Sequence, residues 1–184
     1  DHNATNAAGV VALAGELGFD PFRAAAGVAA FTGTGRRFEH RGVAKGVSFI
    51  DDYAHHPTEV AATLAAASGW EGGRVVAVFQ PHLYSRTQRL ADRFGAALAV
   101  ADVVVVTDVF AAREDPIEGV DGTLISAAAR RHGATDVVDA PDRSTLAEVV
   151  AALIRPGDLV LTMGAGDITT VAEELGAVLP GAVI

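Results

Sequence analysis

Cysteine is absent from the 184-residue chain, so the fold has no disulfide and no thiolate metal ligand. That absence fits a reducing, cytoplasmic setting. No apolar run reaches the length of a membrane span, and the opening DHNATNAAGV lacks the basic and apolar regions of a signal peptide. A starting methionine is also missing, which points to a piece of a longer protein. Positive charge is in deficit: 14 Lys and Arg face 23 Asp and Glu, a formal net charge of −9. Such a surface repels phosphodiester backbones, which argues against general nucleic-acid binding. A small anion then needs a local basic cluster, and the sequence offers Arg36 with Arg37 and Arg86 with Arg89. No G-x-x-x-x-G-K-[ST] marks a P-loop, and no G-x-S-x-G marks a serine-hydrolase elbow. The G-x-G at Gly33 and Gly35 precedes a strand instead of following one. It is therefore not the dinucleotide fingerprint that a nicotinamide oxidoreductase needs.

What is present is the composition of an ordered domain: 50% hydrophobic residues, 20 glycines and only 6% aromatics. A chain of this size buries about 70% of the surface it would expose unfolded, enough for a core without staples. ATNAAGVVALAGEL and DPFRAAAGVAAF read as helices, the second with Asp20 as N-cap and Pro21 in first position. TGTG follows, and a domain boundary is set between Phe31 and Gly35. Beyond it RRFEHRG and GVSFID read as a strand hairpin. RVVAVFQ, DVVVVTDV and DLVLTMG are continuous apolar runs, as strands buried on both faces require, and TDVV reads as a shorter strand. Helical patterns separate them. Leu90, Phe94 and Leu98 form one; Leu146, Val149, Val150 and Leu153 form another, with Thr145 and Glu148 as a capping box. Ile168, Val171 and Leu175 make a last helix, ended by Gly176. Such alternation predicts an α/β fold, a mainly parallel sheet with helices on both faces.

Ligands of open parallel sheets bind beyond the carboxyl ends of the strands. DDYAHH, PHLYSR, FAAREDP and GAGD each follow a predicted strand, so these polar connections are expected on one rim. Each has a plainer reading. DDYAHHPTE is a polar turn, an organic-ligand site, or a metal site through His55, His56 and Glu59; adjacent histidines point apart, which weakens the last. Asn3 and Asn6 on one helical face can read a base or sugar, or simply cap. Arg36 and Arg37 can grip phosphate or stay solvated. Arg86 can hold a carboxylate, and His82 an amine or a phosphate, while Tyr84 packs on its helix. GAGD reads first as a tight strand-to-helix turn.

Taken in order, HNATNA, FTGTGRRFE, DDYAHHPTEV, FQPHLYSRT, EDPIEG and GAGDI resemble the Mur ligase family, in the branch that acts on UDP-N-acetylmuramate and L-alanine. The resemblance implies three domains. Residues 1–31 would be the helical tail of the central ATP-binding domain, and residues 35–184 the Rossmann-like C-terminal domain. The first domain and most of the central one lie outside the chain. The implied reaction is amide formation: ATP phosphorylates the muramate carboxylate to an acyl phosphate, and the amine of L-alanine displaces phosphate. Mg2+ would be held mainly by the central domain, with no metal ligand in this chain.

By motif, the resemblance implies that His2, Asn3, Asn6, Arg37 and Asp52 meet ATP. Tyr53, His55, His82 and Arg86 would line the amino-acid pocket. Arg37 and His55 would be the catalytic pair, and Arg36 is assigned nothing definite. Leu83 departs from the pattern, since many family members carry arginine there, and Arg113 stands where a small residue is common. Two other readings stay open: the related ligase that recycles a whole tripeptide onto the same sugar, and a nucleotide-binding module inactive by itself for want of a P-loop.

Overall fold

The computed structural model describes residues 2–31 and 33–179, with the side chains of His2 and Asn3 outside that description. The chain divides into two compact units, residues 1–35 and 36–184. The first unit holds helices α1 (His2–Glu16) and α2 (Pro21–Ala29). Pro21 starts α2 because its fixed φ suits a first turn, and the Asp20 carboxylate accepts from the Phe22 amide at 2.9 Å.

Among its described residues the second unit contains six strands: β1 (Glu39–Ala44), β2 (Val47–Asp52), β3 (Val75–Phe79), β4 (Val103–Thr107), β5 (Val137–Ala140) and β6 (Leu159–Met163). Its helices are α3 (Pro57–Ala67), α4 (Tyr84–Leu98), α5 (Thr123–Arg131), α6 (Leu146–Leu153) and α7 (Val171–Val178). The six strands form one sheet in the order β1-β2-β6-β3-β4-β5, antiparallel only between β1 and β2. Alternate side chains of each strand enter opposite layers. Ala77, Phe79, Val104, Val106, Leu161 and Met163 pack with Leu64 of α3, Phe94 and Leu98 of α4 and Ile125 of α5. Val76, Val78, Val103, Val105 and Val160 pack with Leu146 and Val150 of α6 and Val171 and Leu175 of α7. Both faces are thus covered, which is why the inner strands β3, β4 and β6 carry no polar alternation.

The connection from β2 through α3 to β3 passes over the place that β6 fills last. After β2 and β3 the chain enters the layer of α3 and α4; after β6 it enters the layer of α7. The strand order therefore switches around β6, and a crevice is expected beyond its carboxyl end.

Three local expectations change. Residues 36–38 form a turn and not the start of β1, with positive φ at Arg36 (57°) and Phe38 (50°). Carboxylates take the amides a ladder would use: Arg36 N–H donates to Glu39 Oε2 (2.7 Å) and Phe38 N–H to Asp52 Oδ2 (2.7 Å). Thr145 makes no side-chain cap on α6. Asp142 instead caps a short 3-10 turn ahead of it, accepting from the Ser144 amide at 2.9 Å. Gly176 lies inside α7, which runs on to Val178.

Candidate functional site

Parallel register sets Asp52, Met163 and Phe79 at one level, and Phe79 beside Val106. The connections after β2, β6, β3 and β4 therefore leave the sheet along one rim, as the sequence predicts.

The rim rests on a buried polar knot. Asp51 is fully buried and accepts from Thr162 Oγ1, Thr169 Oγ1 and Arg36 Nε, each at 2.8 Å. Arg36 also donates through Nη2 to the Gly164 carbonyl (2.7 Å) and through Nη1 to that of Gly166 (3.4 Å). Burial of an unpartnered carboxylate is costly, and this set of donors removes that cost. Arg36 thereby ties the 36–38 turn to the glycine loop after β6. Gly166 belongs in that loop because a Cβ would run into the Phe110 ring and the Gln80 amide. Gln80 bridges onward, donating to Asp167 Oδ1 (2.7 Å) and accepting from the Ile168 amide (3.1 Å).

Arg37, the next residue, is exposed and has no hydrogen bond or ion pair among the described residues. Its guanidinium lies 5.6 Å from the Tyr53 ring centroid, and that of Arg36 lies 5.1 Å from it. Such cation–π contacts hold a cation while leaving its N–H groups free for an anion. Asp52 is buried, its Oδ1 accepting from the Ala54 amide (2.8 Å) and its Oδ2 from Phe38. A carboxylate has about four acceptor positions, so two remain.

The paired histidines separate. The His56 ring caps α3, accepting from the Thr58 amide at 3.4 Å, while Glu59 returns the bond to the His56 amide at 3.1 Å. The His55 ring turns the other way. Its Nδ1 lies 2.8 Å from the Tyr53 carbonyl; a carbonyl only accepts, so Nδ1 carries the proton there and Nε2 keeps its lone pair when the ring is neutral. His55 meets His82 edge-on with centroids 5.9 Å apart, and His82 stacks on Phe110, also at 5.9 Å. Arg86 Nη1 donates to the His55 carbonyl at 3.1 Å. Burial, then the charges of Arg86 and His55, push the His82 imidazole below its ordinary value, with Glu114 pulling the other way.

Tyr53, His55, His82 and Arg86 therefore stand together, with Arg37 and Asp52 beside Tyr53. Asn6 is exposed on α1, in the other unit; the side chains of His2 and Asn3 lie outside the described residues. Among the described residues no group of three or more His, Asp or Glu is set to hold a metal ion. Phe110 was missed from the sequence, although an aromatic directly after a buried strand at a polar rim is a usable signal.

A family model described as "Mur ligase, glutamate ligase domain" matches residues 36–166. The chain is 50% identical over 183 residues to the UDP-N-acetylmuramate–L-alanine ligase of Thermobifida fusca, covering 95% of this chain and 38% of that protein. It is 54% identical over 176 residues to the ligase of the same name from Kineococcus radiotolerans, covering 95% and 37%. Its fold matches the crystal structure of the UDP-N-acetylmuramate-alanine ligase of Thermotoga maritima with a TM-score of 0.74 and 30% identity, over 94% of this chain and 36% of that one. The chain thus spans well under half the length of these relatives. With the matched model covering most of the sheet and its rim, the chain belongs to the Mur ligase family.

Proposed function

We propose that the chain is the C-terminal part of an ATP-dependent carboxylate–amine ligase that joins L-alanine to UDP-N-acetylmuramate in the cytoplasm. Residues 1–31 are then the tail of its central domain and residues 35–184 its closing domain. The observation that carries this reading is the adjoining pair of polar groups on one rim, Arg37 with Tyr53 and His55 with His82 and Arg86. The names of the relatives agree with it.

ATP, when bound, supplies the phosphoryl group that gives a poor acyl donor a leaving group. The chain's own residues bind and orient. Arg37 offers its N–H groups to the phosphates. Asp52 offers its remaining lone pairs to ribose hydroxyls. The His55 ring, with Nδ1 held by the Tyr53 carbonyl, presents Nε2 to the amine of the incoming amino acid. Arg86 spends one N–H on His55 and has others for the α-carboxylate. Leu83 brings no charge, so Arg86 carries more of the carboxylate binding. Arg113 is exposed, and no role is proposed for it. Magnesium would be held mainly by the central domain; among the described residues no group of three or more His, Asp or Glu is set to hold a metal ion.

The test uses protein extended to the length of the relatives. Phosphate release should require both UDP-N-acetylmuramate and L-alanine. Arg86→Ala should raise the half-saturating L-alanine concentration by about tenfold to a hundredfold, as loss of a charge-assisted bond predicts, and leave that of ATP within about twofold. Equal effects on both, or preference for a tripeptide over L-alanine, would overturn the reading. The 184-residue chain alone carries no P-loop sequence and should give no ligase turnover.

A further inference from the structure

Helix α4 carries Arg86 in its first turn and begins directly after His82 and Leu83, yet nothing in its own sequence caps it. Leu83 stands at the N-cap with φ 70° and ψ 129° and no polar side chain to offer. Positive φ in a bulky residue is strained and persists only where neighbours hold it. Besides Thr87 of α4, whose amide and hydroxyl donate to the Leu83 carbonyl, the holding groups come from the connection between β4 and α5. Phe110 N–H donates to the Pro81 carbonyl at 2.8 Å, and Leu83 N–H to the Phe110 carbonyl at 3.0 Å. Glu114, from the same connection, accepts from Ser85 N–H at 2.9 Å through Oε2 and from Ser85 Oγ at 2.5 Å through Oε1. A carboxylate so placed satisfies a first-turn amide and faces the positive end of the helix. Helix α3, by contrast, is capped by His56, its own neighbour in sequence.

We propose that Glu114 is a positioning residue for the amino-acid pocket: by capping α4 from across the rim it fixes the 81–86 segment, and so aims Arg86 and His82. The proposal rests on the ligase reading given above for what the pocket receives. Its mechanical part does not. Without Glu114 the Leu83 turn loses its C-terminal anchor, relaxes toward ordinary φ, and the Arg86 guanidinium drifts from the His55 carbonyl. The sequence hides this link, because Glu114 and Ser85 are far apart in the chain and a Glu in an EDP turn reads as solvated.

Two measurements test it. In the 184-residue chain, Glu114→Ala should speed amide hydrogen exchange at Ser85 and Arg86 by about tenfold, the usual worth of a helix cap, and leave the β6 amides unchanged. Unchanged exchange at Ser85 would overturn the cap itself, whatever the enzyme does. In the extended protein, Glu114→Ala should raise the half-saturating L-alanine concentration about tenfold while that of ATP stays within about twofold. Glu114→Gln keeps one acceptor and should lose less, so it also serves if the alanine variant folds poorly. No rise, or an equal rise for both substrates, overturns the positioning role. Arg86→Ala run alongside separates the two claims. If it still raises the L-alanine requirement, the Glu114 proposal alone has failed; if it does not, the pocket assignment has failed.

Discussion

His82 keeps its Nδ1 buried and without a hydrogen-bond partner among the described residues. Burial comes first among the causes that lower its proton affinity; the charges of Arg86 and His55 follow, and Glu114 opposes them. The folded imidazole therefore binds a proton less readily than the unfolded one, whose ordinary value is 6.5. As pH falls through that value the unfolded chain takes up more protons, so stability present at higher pH is lost on acidification. The urea midpoint should thus drop between about pH 7.5 and pH 5.5, and His82→Gln should show a smaller drop, the difference isolating this ring from the other histidines. An unchanged drop would mean that the imidazole is not destabilised in its charged form. The arginines show how far single residues can be read in advance. Arg36 and Arg37 look alike in sequence, yet the first is tied to Asp51, Gly164 and Gly166, while the second lies over Tyr53 with no hydrogen bond among the described residues. Their split depends on left-handed backbone at Arg36, and no residue type announces that conformation in an arginine.

Among the elements, β3, β4 and β6 were legible because both of their faces are buried, so each reads as a nearly unbroken apolar run. Their order was not. Nothing in LVLTM says that β6 fits between β2 and β3, since any of these runs satisfies the same pairing. Helix periodicity was also legible, but the starts and stops were less so. Thr145 lost its predicted role because Asp142 lies close enough to cap first. The crossing of α4 and α5 was invisible in advance and turns on Gly95. A Cβ there would fall on the Ala128 and Ala129 backbone, at 2.5 Å from each. Alanine is worth about 1 kcal/mol more than glycine to an exposed helix, whereas overpacking against an unyielding neighbour costs about 1–3 kcal/mol. Backbone cannot swing aside as a side chain does, so overlap should win. Gly95→Ala is expected to lower stability by about 1–2 kcal/mol in urea unfolding. A stabilised variant would show that the two helices separate more cheaply than this packing implies.

At the scale of the molecule, the sequence reading placed a break between Phe31 and Gly35 on the strength of TGTG, and the chain's contacts cluster on either side of the Gly35–Arg36 junction. Polar residues at the carboxyl ends of strands were legible as one rim because parallel pairing leaves them no other place. What no local pattern could give is the stitching between connections, such as Arg36 to the glycine loop and Glu114 to α4. Residues 36–179 hold two core layers, each closed by its own helices over a common sheet. The hydrogen bonds of Asp51, Asp52, Arg74, Asp158 and Glu114 also close within that stretch. A domain so satisfied should fold as a unit. A polypeptide from Gly33 to Ile184, which keeps the Arg36 amide on Glu39, is therefore expected to unfold in one cooperative urea transition with a stability of about 5–15 kcal/mol. Circular dichroism of the helices and fluorescence of Trp70, whose indole N–H donates to the Gly157 carbonyl at 2.9 Å, should trace the same midpoint. Separate midpoints would mean that the sheet and its helical layers do not form a single cooperative core.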